Sequence, residues 1–269
     1  MKKILIFGGS GFLGKAIYKE LNPFFNVYST FYNNINFKKN KRFLYYDIRI
    51  SPLRIINYIN PSIIISAVRG DFNEQVIFHK KLISICDKKK IKIIYISSSN
   101  VFDSFTNYPS YEFDKTFSES KYGKFKIAIE NEILRMQNSD WTILRSPMIF
   151  DKKSPRIDEI NDLIKNKIPI EIFPNLIVNI NSSVIMAKQI HYFLSREIKG
   201  IIHLGSEDLI LHDELIFSIV EKLKLNYAKY KYVYTTNEKR YLALFSNRSI
   251  VPNHLKFNYN DVVNELKNN

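Results

Sequence analysis

The run KILIFGGSGFLGKAI opens with a five-residue stretch, residues 3 to 7, that passes without a spacer into glycine. Gly8, Gly11 and Gly14 then follow at the spacing GxxGxxG, and a helical pattern begins at once. A strand that leaves its sheet through glycines into a helix is the first β–α turn of an α/β protein. Glycine permits the tight turn and lets backbone N–H groups approach a pyrophosphate, whose negative charge is then favoured by the positive end of the helix dipole. Placed after the first strand, the loop predicts a dinucleotide ligand.

The pattern that follows agrees. Short β-rich runs at 3–7, 26–30, 43–46, 62–66, 91–97 and 141–146 alternate with the helical segments GKAIYKEL, SPLRIINYI, NEQVIFHKKLISICDKKK and YGKFKIAIENEILRMQ. Nearly continuous apolar strands separated by helices imply a parallel sheet covered on both faces, the doubly wound Rossmann arrangement of α/β proteins. After about residue 150 the alternation loosens. DEINDLIKN and HDELIFSIVEKL read as amphipathic helices, the second with acidic residues in its first turn. SSVIMAKQIHYFL is a further helix with a serine available as N-cap, and GIIHLG a further strand. The expected organisation is a dinucleotide-binding domain over 1–150 and about 176–206, with a small C-terminal α/β substrate-binding cap over about 151–175 and 207–269.

Composition narrows the class. A chain of 269 residues, 45% hydrophobic, can bury a sizeable core without cross-links. Its single cysteine, Cys86, excludes an internal disulfide and lies in a helical run, where it reads as a buried thiol. The net charge of +14 admits nucleic acid, an anionic membrane surface or a phosphorylated small molecule. The lysines are scattered, however, and clusters such as 38–42 and 88–90 flank predicted strands, so neither a nucleic acid nor a membrane partner is expected. No apolar segment approaches the about 20 residues of a membrane span. The apolar run in MKKILIFGG is too short for a secretion signal and leads into glycines, so it reads as a buried strand and a cytoplasmic location is expected. His79, His191, His203, His212 and His254 show no metal-ligand spacing, and no metal is expected. The serine within GGSGF follows the first strand, too early for a nucleophile elbow.

The second strand bears on the choice of dinucleotide. An NAD site commonly has an acid at its end for the ribose hydroxyls. Here NVYSTFYNN places Ser29, Thr30 and Phe31 at that point, with no carboxylate to repel a 2′-phosphate. Lys38, Lys39, Lys41 and Arg42 follow, either attracting that phosphate or forming a solvated loop. NADP(H) is the favoured cofactor and NAD(H) the alternative.

The strand ending in YISSSNVFD is followed some twenty residues later by SESKYGKFKIAIE, with Tyr122 four residues before Lys126. A hydroxyl at a strand's carboxyl end and a helix carrying Tyr and Lys at i and i+4 can surround one carbonyl oxygen. Together with the glycine loop, this set resembles the extended short-chain dehydrogenase/reductase family. More narrowly it is similar to the dTDP-4-dehydrorhamnose reductase-like branch, whose members read roughly ISTDYVFDG and YGxxK. The resemblance runs from residue 1 to about 150, and more faintly through GIIHLGSEDLILHDELIFSIV to the C-terminus.

The resemblance implies catalytic residues Ser98, Tyr122 and Lys126, with Ser98 standing where many relatives have threonine. It implies a cofactor loop of Gly8, Gly11, Phe12, Leu13 and Gly14, and further cofactor contacts at Thr30, Ala67, Ser97, Tyr122 and Lys126. It places an adenine contact on Asp47 and Ile48 and a substrate contact on Ser98. Arg240, in TNEKRYLAL, falls near an arginine-bearing segment of the family's cap and reads as a diphosphate contact or an exposed tail residue. Arg145 matches a frequent family arginine, for structure or for substrate.

The implied reaction is NAD(P)H-dependent reduction of the 4-keto group of a nucleotide-activated deoxysugar, in the making of surface polysaccharide precursors. Tyrosine would donate its proton to the substrate oxygen while serine holds that oxygen. A free phenol with pKa near 10 needs a shift of about three units, roughly 4 kcal/mol, to take part near neutrality. One ammonium at about 4 Å supplies roughly that at an effective dielectric of about 20. Lys126 is therefore expected to tune Tyr122.

Departures from the family pattern bear on the substrate. Val68 and Arg69 stand where relatives usually have small alanines, Ser118 replaces a common proline, and SSVIMAKQI lacks the aspartate of a VxDLA-like motif. Ser99 and Asn100, after Ser98, cannot serve as the acid and base that sugar-nucleotide dehydratases need. An epimerase, or a non-catalytic cofactor-binding regulatory subunit, are the other readings. A nucleotide-sugar partner is expected, and a homodimer is compatible with the sequence.

Overall fold

The computed structural model describes residues 2–138 and 140–266. Six strands, β1 (Lys3–Phe7), β2 (Asn26–Phe31), β3 (Phe43–Tyr45), β4 (Ile63–Ser66), β5 (Lys92–Ser98) and β6 (Trp141–Ser146), are joined by the strand Gly200–His203 in one parallel sheet. Its spatial order is β3–β2–β1–β4–β5–β6–(200–203). The chain thus builds outward from β1 to β3, then crosses to β4 on the other side of β1. Between β1 and β4 the order reverses, and in such sheets ligands bind outside the carboxyl ends of the strands at that reversal.

Alternation along the strands divides the core into two layers. Leu5, Phe7, Ile64, Tyr95 and Ile143 face α2 (Leu53–Ile59), α3 (Phe72–Lys89) and α4 (Lys121–Leu134), packing with Ile56, Phe78, Leu82, Ile129 and Ile133. Ile4, Ile6, Ile65, Ile94 and Leu144 face the other way, against α1 (Phe12–Leu21) and, further along the chain, the helix Ser183–Ser195. Cys86 lies inside the first layer, where burial pushes its thiol pKa up to about 12.

A third cluster holds the later part of the chain together. It joins α5 (Pro155–Lys165), through Ile157 and Ile160, to the helices His212–Lys222 and Tyr259–Asn264, through Leu215, Ile219 and Val262. Short strand pairs support it. Leu176–Val178 pairs with Ile210–Leu211 and Arg240–Leu242 rather than with the main sheet, and Ile170–Ile172 pairs with Tyr230–Tyr232. The N-terminus of α5 follows its sequence signal: Ser154 caps it by accepting a hydrogen bond from Ile157 N–H, with Pro155 at the first position. Among the described residues, no helix is long and apolar enough to cross a membrane.

Candidate active site

The glycine loop is shaped by lack of room. Gly8 has φ +81°, and a Cβ there would lie 2.6 Å from the carbonyl oxygen of Ala67, at the end of β4. A Cβ on Gly14 would lie 2.2 Å from the Gly8 carbonyl, so α1 packs directly against the turn that precedes it. Thr30 is buried beneath the loop: its hydroxyl accepts from Gly8 N–H at 2.9 Å and its carbonyl from Ser10 N–H at 3.2 Å. Gly11 heads α1 with no side-chain cap, and Gly11, Phe12 and Leu13 line the adjacent cleft. A cradle that a Cβ would fill, at the uncapped end of a helix, fits a dinucleotide pyrophosphate.

The cleft, about 650 Å³, lies at the sheet's reversal point. Its walls bring together the glycine loop, Ala67 to Gly70 after β4, Ser97 and Ser98 at the end of β5, Tyr122 and Lys126 of α4, and Arg156 and Glu159 of α5. The seating of α4 explains how Tyr122 reaches Ser98. Ser120 caps the helix by accepting from Gly123 N–H at 2.9 Å. A Cβ on Gly123 would sit 2.3 Å from the Asn100 carbonyl and 2.0 Å from Ser118 Oγ. The first turn of α4 is therefore pressed onto the short 3₁₀ turn Ser99–Phe102 that continues β5.

Tyr122 is 37% exposed, with Phe72 and Phe125 beside its ring at centroid distances of 5.8 and 5.5 Å. Ser98 Oγ donates to Asn100 Oδ1 at 3.0 Å and accepts from Asn100 N–H at 3.2 Å. Lys126 is only 7% exposed; its Nζ donates to the Ile96 carbonyl at 2.9 Å and lies 5.8 Å from the Tyr122 ring centroid.

Here the electrostatics depart from expectation. Burial depresses the Lys126 pKa to about 7, against the opposing pull of Glu130 and with the help of Arg69. Burial also raises the pKa of Tyr122, and the groups that favour its phenolate are Ser98, Arg69 and Arg156. Lys126 is not among those groups, and the burial that places it near the phenol also disfavours its own charge.

Below Lys126, Glu130 accepts a hydrogen bond from Ser97 and binds Arg145 through two guanidinium nitrogens, Nη2 at 2.7 Å and Nε at 3.1 Å. Arg145 and Glu130 are both buried, and Arg145 stays outside the cleft wall. Through Glu130 it is tied to Ser97, which does line the cleft.

The remaining predicted residues fall elsewhere. Asp47 and Ile48 follow β3, outside the cleft lining, where Asp47 binds Arg49 at 2.5 Å and is held well below the usual carboxylate range by it. Arg49 Nη2 also donates to the Tyr32 hydroxyl, 2.9 Å away and one residue past the end of β2. Arg42 hydrogen-bonds Asn26 at the start of β2 and lies over the Tyr28 ring at 4.7 Å. Arg240 donates to Thr235 Oγ1 at 2.7 Å and does not line the cleft. The arginine of the later part of the chain that does is Arg156, in α5. The Ser154–Pro155 helix start was a signal for its position in a first turn, but no local pattern shows which wall that turn faces.

A family model described as the RmlD substrate binding domain matches residues 1–240 of this chain. No curated protein sequence matches it. Among solved structures, the dTDP-4-dehydrorhamnose reductase of Bacillus anthracis in complex with NADP superposes with a TM-score of 0.80 at 18% identity, covering 99% of this chain and 98% of that one. The Yersinia enterocolitica dTDP-4-dehydrorhamnose reductase gives 0.78 at 18% identity, with 99% and 100% covered. The dTDP-glucose 4,6-dehydratase of Bacillus anthracis, in complex with NAD, gives 0.79 at 14%, with 99% and 95% covered.

Proposed function

The chain belongs to the RmlD substrate binding domain family, among the NAD(P)-dependent oxidoreductases of the extended short-chain dehydrogenase/reductase type, and on that premise we propose that it reduces the 4-keto group of a nucleotide-activated deoxysugar. Surface polysaccharide precursors are the products this reading implies. The observation that carries it is the meeting of Ser98, Tyr122 and Lys126 on one cleft with the glycine loop, at the reversal point of the sheet.

Gly11, Phe12 and Leu13 would hold the pyrophosphate, with Ala67 and Lys126 beside the nicotinamide half. The bound cofactor supplies the hydride that reduces the carbonyl carbon. Tyr122 donates its phenolic proton to the carbonyl oxygen, and its raised pKa keeps that proton in place throughout the neutral range. Ser98 orients the oxygen, itself oriented by Asn100. Phe72 and Phe125 limit water on the flank of the phenol.

The proposed cofactor is NADP(H). No carboxylate stands at the end of β2, and Arg49 is held by Asp47 and Tyr32 beside that end. Arg49 Nε and Nη2 are engaged, and among the described residues none holds its Nη1, which leaves it to meet a 2′-phosphate.

Purified protein should oxidise NADPH in the presence of one or more nucleotide 4-keto sugars. Tyr122→Phe should retain dinucleotide affinity and lose turnover by a factor of about 10² or more. Unchanged turnover in that variant sinks the mechanism. Dinucleotide binding without turnover on any such sugar selects the regulatory-subunit reading instead.

A further inference from the structure

Two cations on the cleft wall are unused by the chemistry above. Arg69 follows β4, on the sheet side, and Arg156 lies in the first turn of α5, on the cap side. Among the described residues, neither makes a hydrogen bond or ion pair with another side chain. Glu159, the one carboxylate among the described cleft-lining residues, attracts Arg156 through space without pairing with it. The two guanidiniums repel each other and both act on the Tyr122 phenol, so they converge on the part of the cleft where the carbonyl is reduced.

Two guanidiniums and one unpaired carboxylate leave an excess of positive charge on this part of the wall. Each guanidinium keeps its donor fork free, and two such forks match the oxygens of a single anionic group. Arg156 is also supported from beneath, its Cζ 5.9 Å from the Phe150 ring centroid. From the sequence, Arg69, which replaces a small residue, was open between a pyrophosphate or substrate contact and solvent, whereas Arg156 was not expected and the later arginine suggested was Arg240.

We propose that Arg69 and Arg156 form a two-guanidinium subsite for a substrate oxyanion next to Tyr122. The inference rests on the reductase reading for the identity of the substrate, though not for the existence of the subsite. Two parts of a nucleotide sugar carry this chemistry, a carboxylate on the sugar and the diphosphate that joins sugar to nucleoside. The subsite sets substrate selection: it holds the sugar through its charge while Ser98 and Tyr122 address the carbonyl.

Calorimetric titration of the NADP⁺-loaded protein with UDP-glucose, UDP-glucuronate and inorganic pyrophosphate tests this, with Arg69→Gln and Arg156→Gln compared to wild type. Dinucleotide affinity and thermal melting of each variant serve as controls for folding. Preference for UDP-glucuronate over UDP-glucose by about tenfold, lost in either variant, supports the subsite with a sugar carboxylate as its ligand. Equal weakening of both sugars and of pyrophosphate, by about tenfold, supports the subsite with the diphosphate as its ligand. Variants that fold and bind all three probes within about twofold of wild type overturn the proposal. That result leaves the reductase reading intact if Tyr122→Phe still abolishes turnover. Arginine-dependent binding of pyrophosphate with no binding of either sugar nucleotide supports the subsite and counts against the proposed substrate class.

Discussion

Lys126 sits in a wall of aromatic rings, Tyr95 and Phe125 lying 4.8 and 5.1 Å from its Nζ, and the Ile96 carbonyl is its hydrogen-bond acceptor. A base whose folded pKa is lowered, here to about 7 from 10.5, binds fewer protons when folded than when unfolded between those two values. Stability from this group therefore rises as pH increases from about 7 towards 10.5, and below about 7 the full cost of burying the ammonium is present. Lys126→Met should flatten that rise. Denaturant midpoints measured near pH 6 and pH 9 should show a smaller gain for the variant than for wild type, and equal gains would contradict the assignment. His79, hydrogen-bonded to Ser66 at 2.7 Å, has its pKa pushed down to about 3 by burial and stays neutral over this range. A second residue-scale expectation concerns Arg49. Arg49→Met should weaken NADPH binding by about tenfold while leaving NADH within about twofold, measured as dissociation constants.

At the scale of elements, the contact between α4 and the Ser99–Phe102 turn decides whether Ser98 and Tyr122 meet at all. The sequence shows the spacing of Tyr122, Gly123 and Lys126, but the reason for glycine lies in the Asn100 carbonyl against which it packs. Gly123→Ala should push the first turn of α4 off that carbonyl, costing about 1–3 kcal/mol in unfolding free energy. Because the glycine loop is untouched, turnover should fall while dinucleotide affinity holds, a pairing that separate binding and rate measurements can check. The loop itself has the converse sensitivity. Gly14→Ala places a methyl against the Gly8 carbonyl, so α1 must move and dinucleotide affinity should fall by about tenfold or more. Strand and helix positions were legible where an element carries its own periodicity or cap, as with the serine that caps the helix Ser183–Ser195.

Across the whole molecule, a ligand seated between the β1 and β4 loops bridges both halves of the sheet and should stabilise the folded chain. NADPH at about 100 times its dissociation constant should add about 2.7 kcal/mol to unfolding, and no thermal shift would argue against the cleft as a dinucleotide site. The sequence alone determined the parallel sheet, the glycine turn and the Ser98, Tyr122 and Lys126 set, since alternation, glycine chemistry and i, i+4 spacing are local properties. It could not show that Arg145 is tied to Glu130, that Arg42 turns to Asn26, or that Arg240 stays off the cleft. Those outcomes depend on which acceptors the fold brings within reach of each guanidinium. Nor could the spacing of Tyr122 and Lys126 reveal how buried the lysine is, and burial, not proximity, sets its charge. Arg69 and Arg156 lie 87 positions apart in the chain. Only the crossing of the chain from the sheet to α5 brings them to one cavity, which is why the Ser98, Tyr122 and Lys126 set was legible in local motifs and the convergence of the two arginines was not.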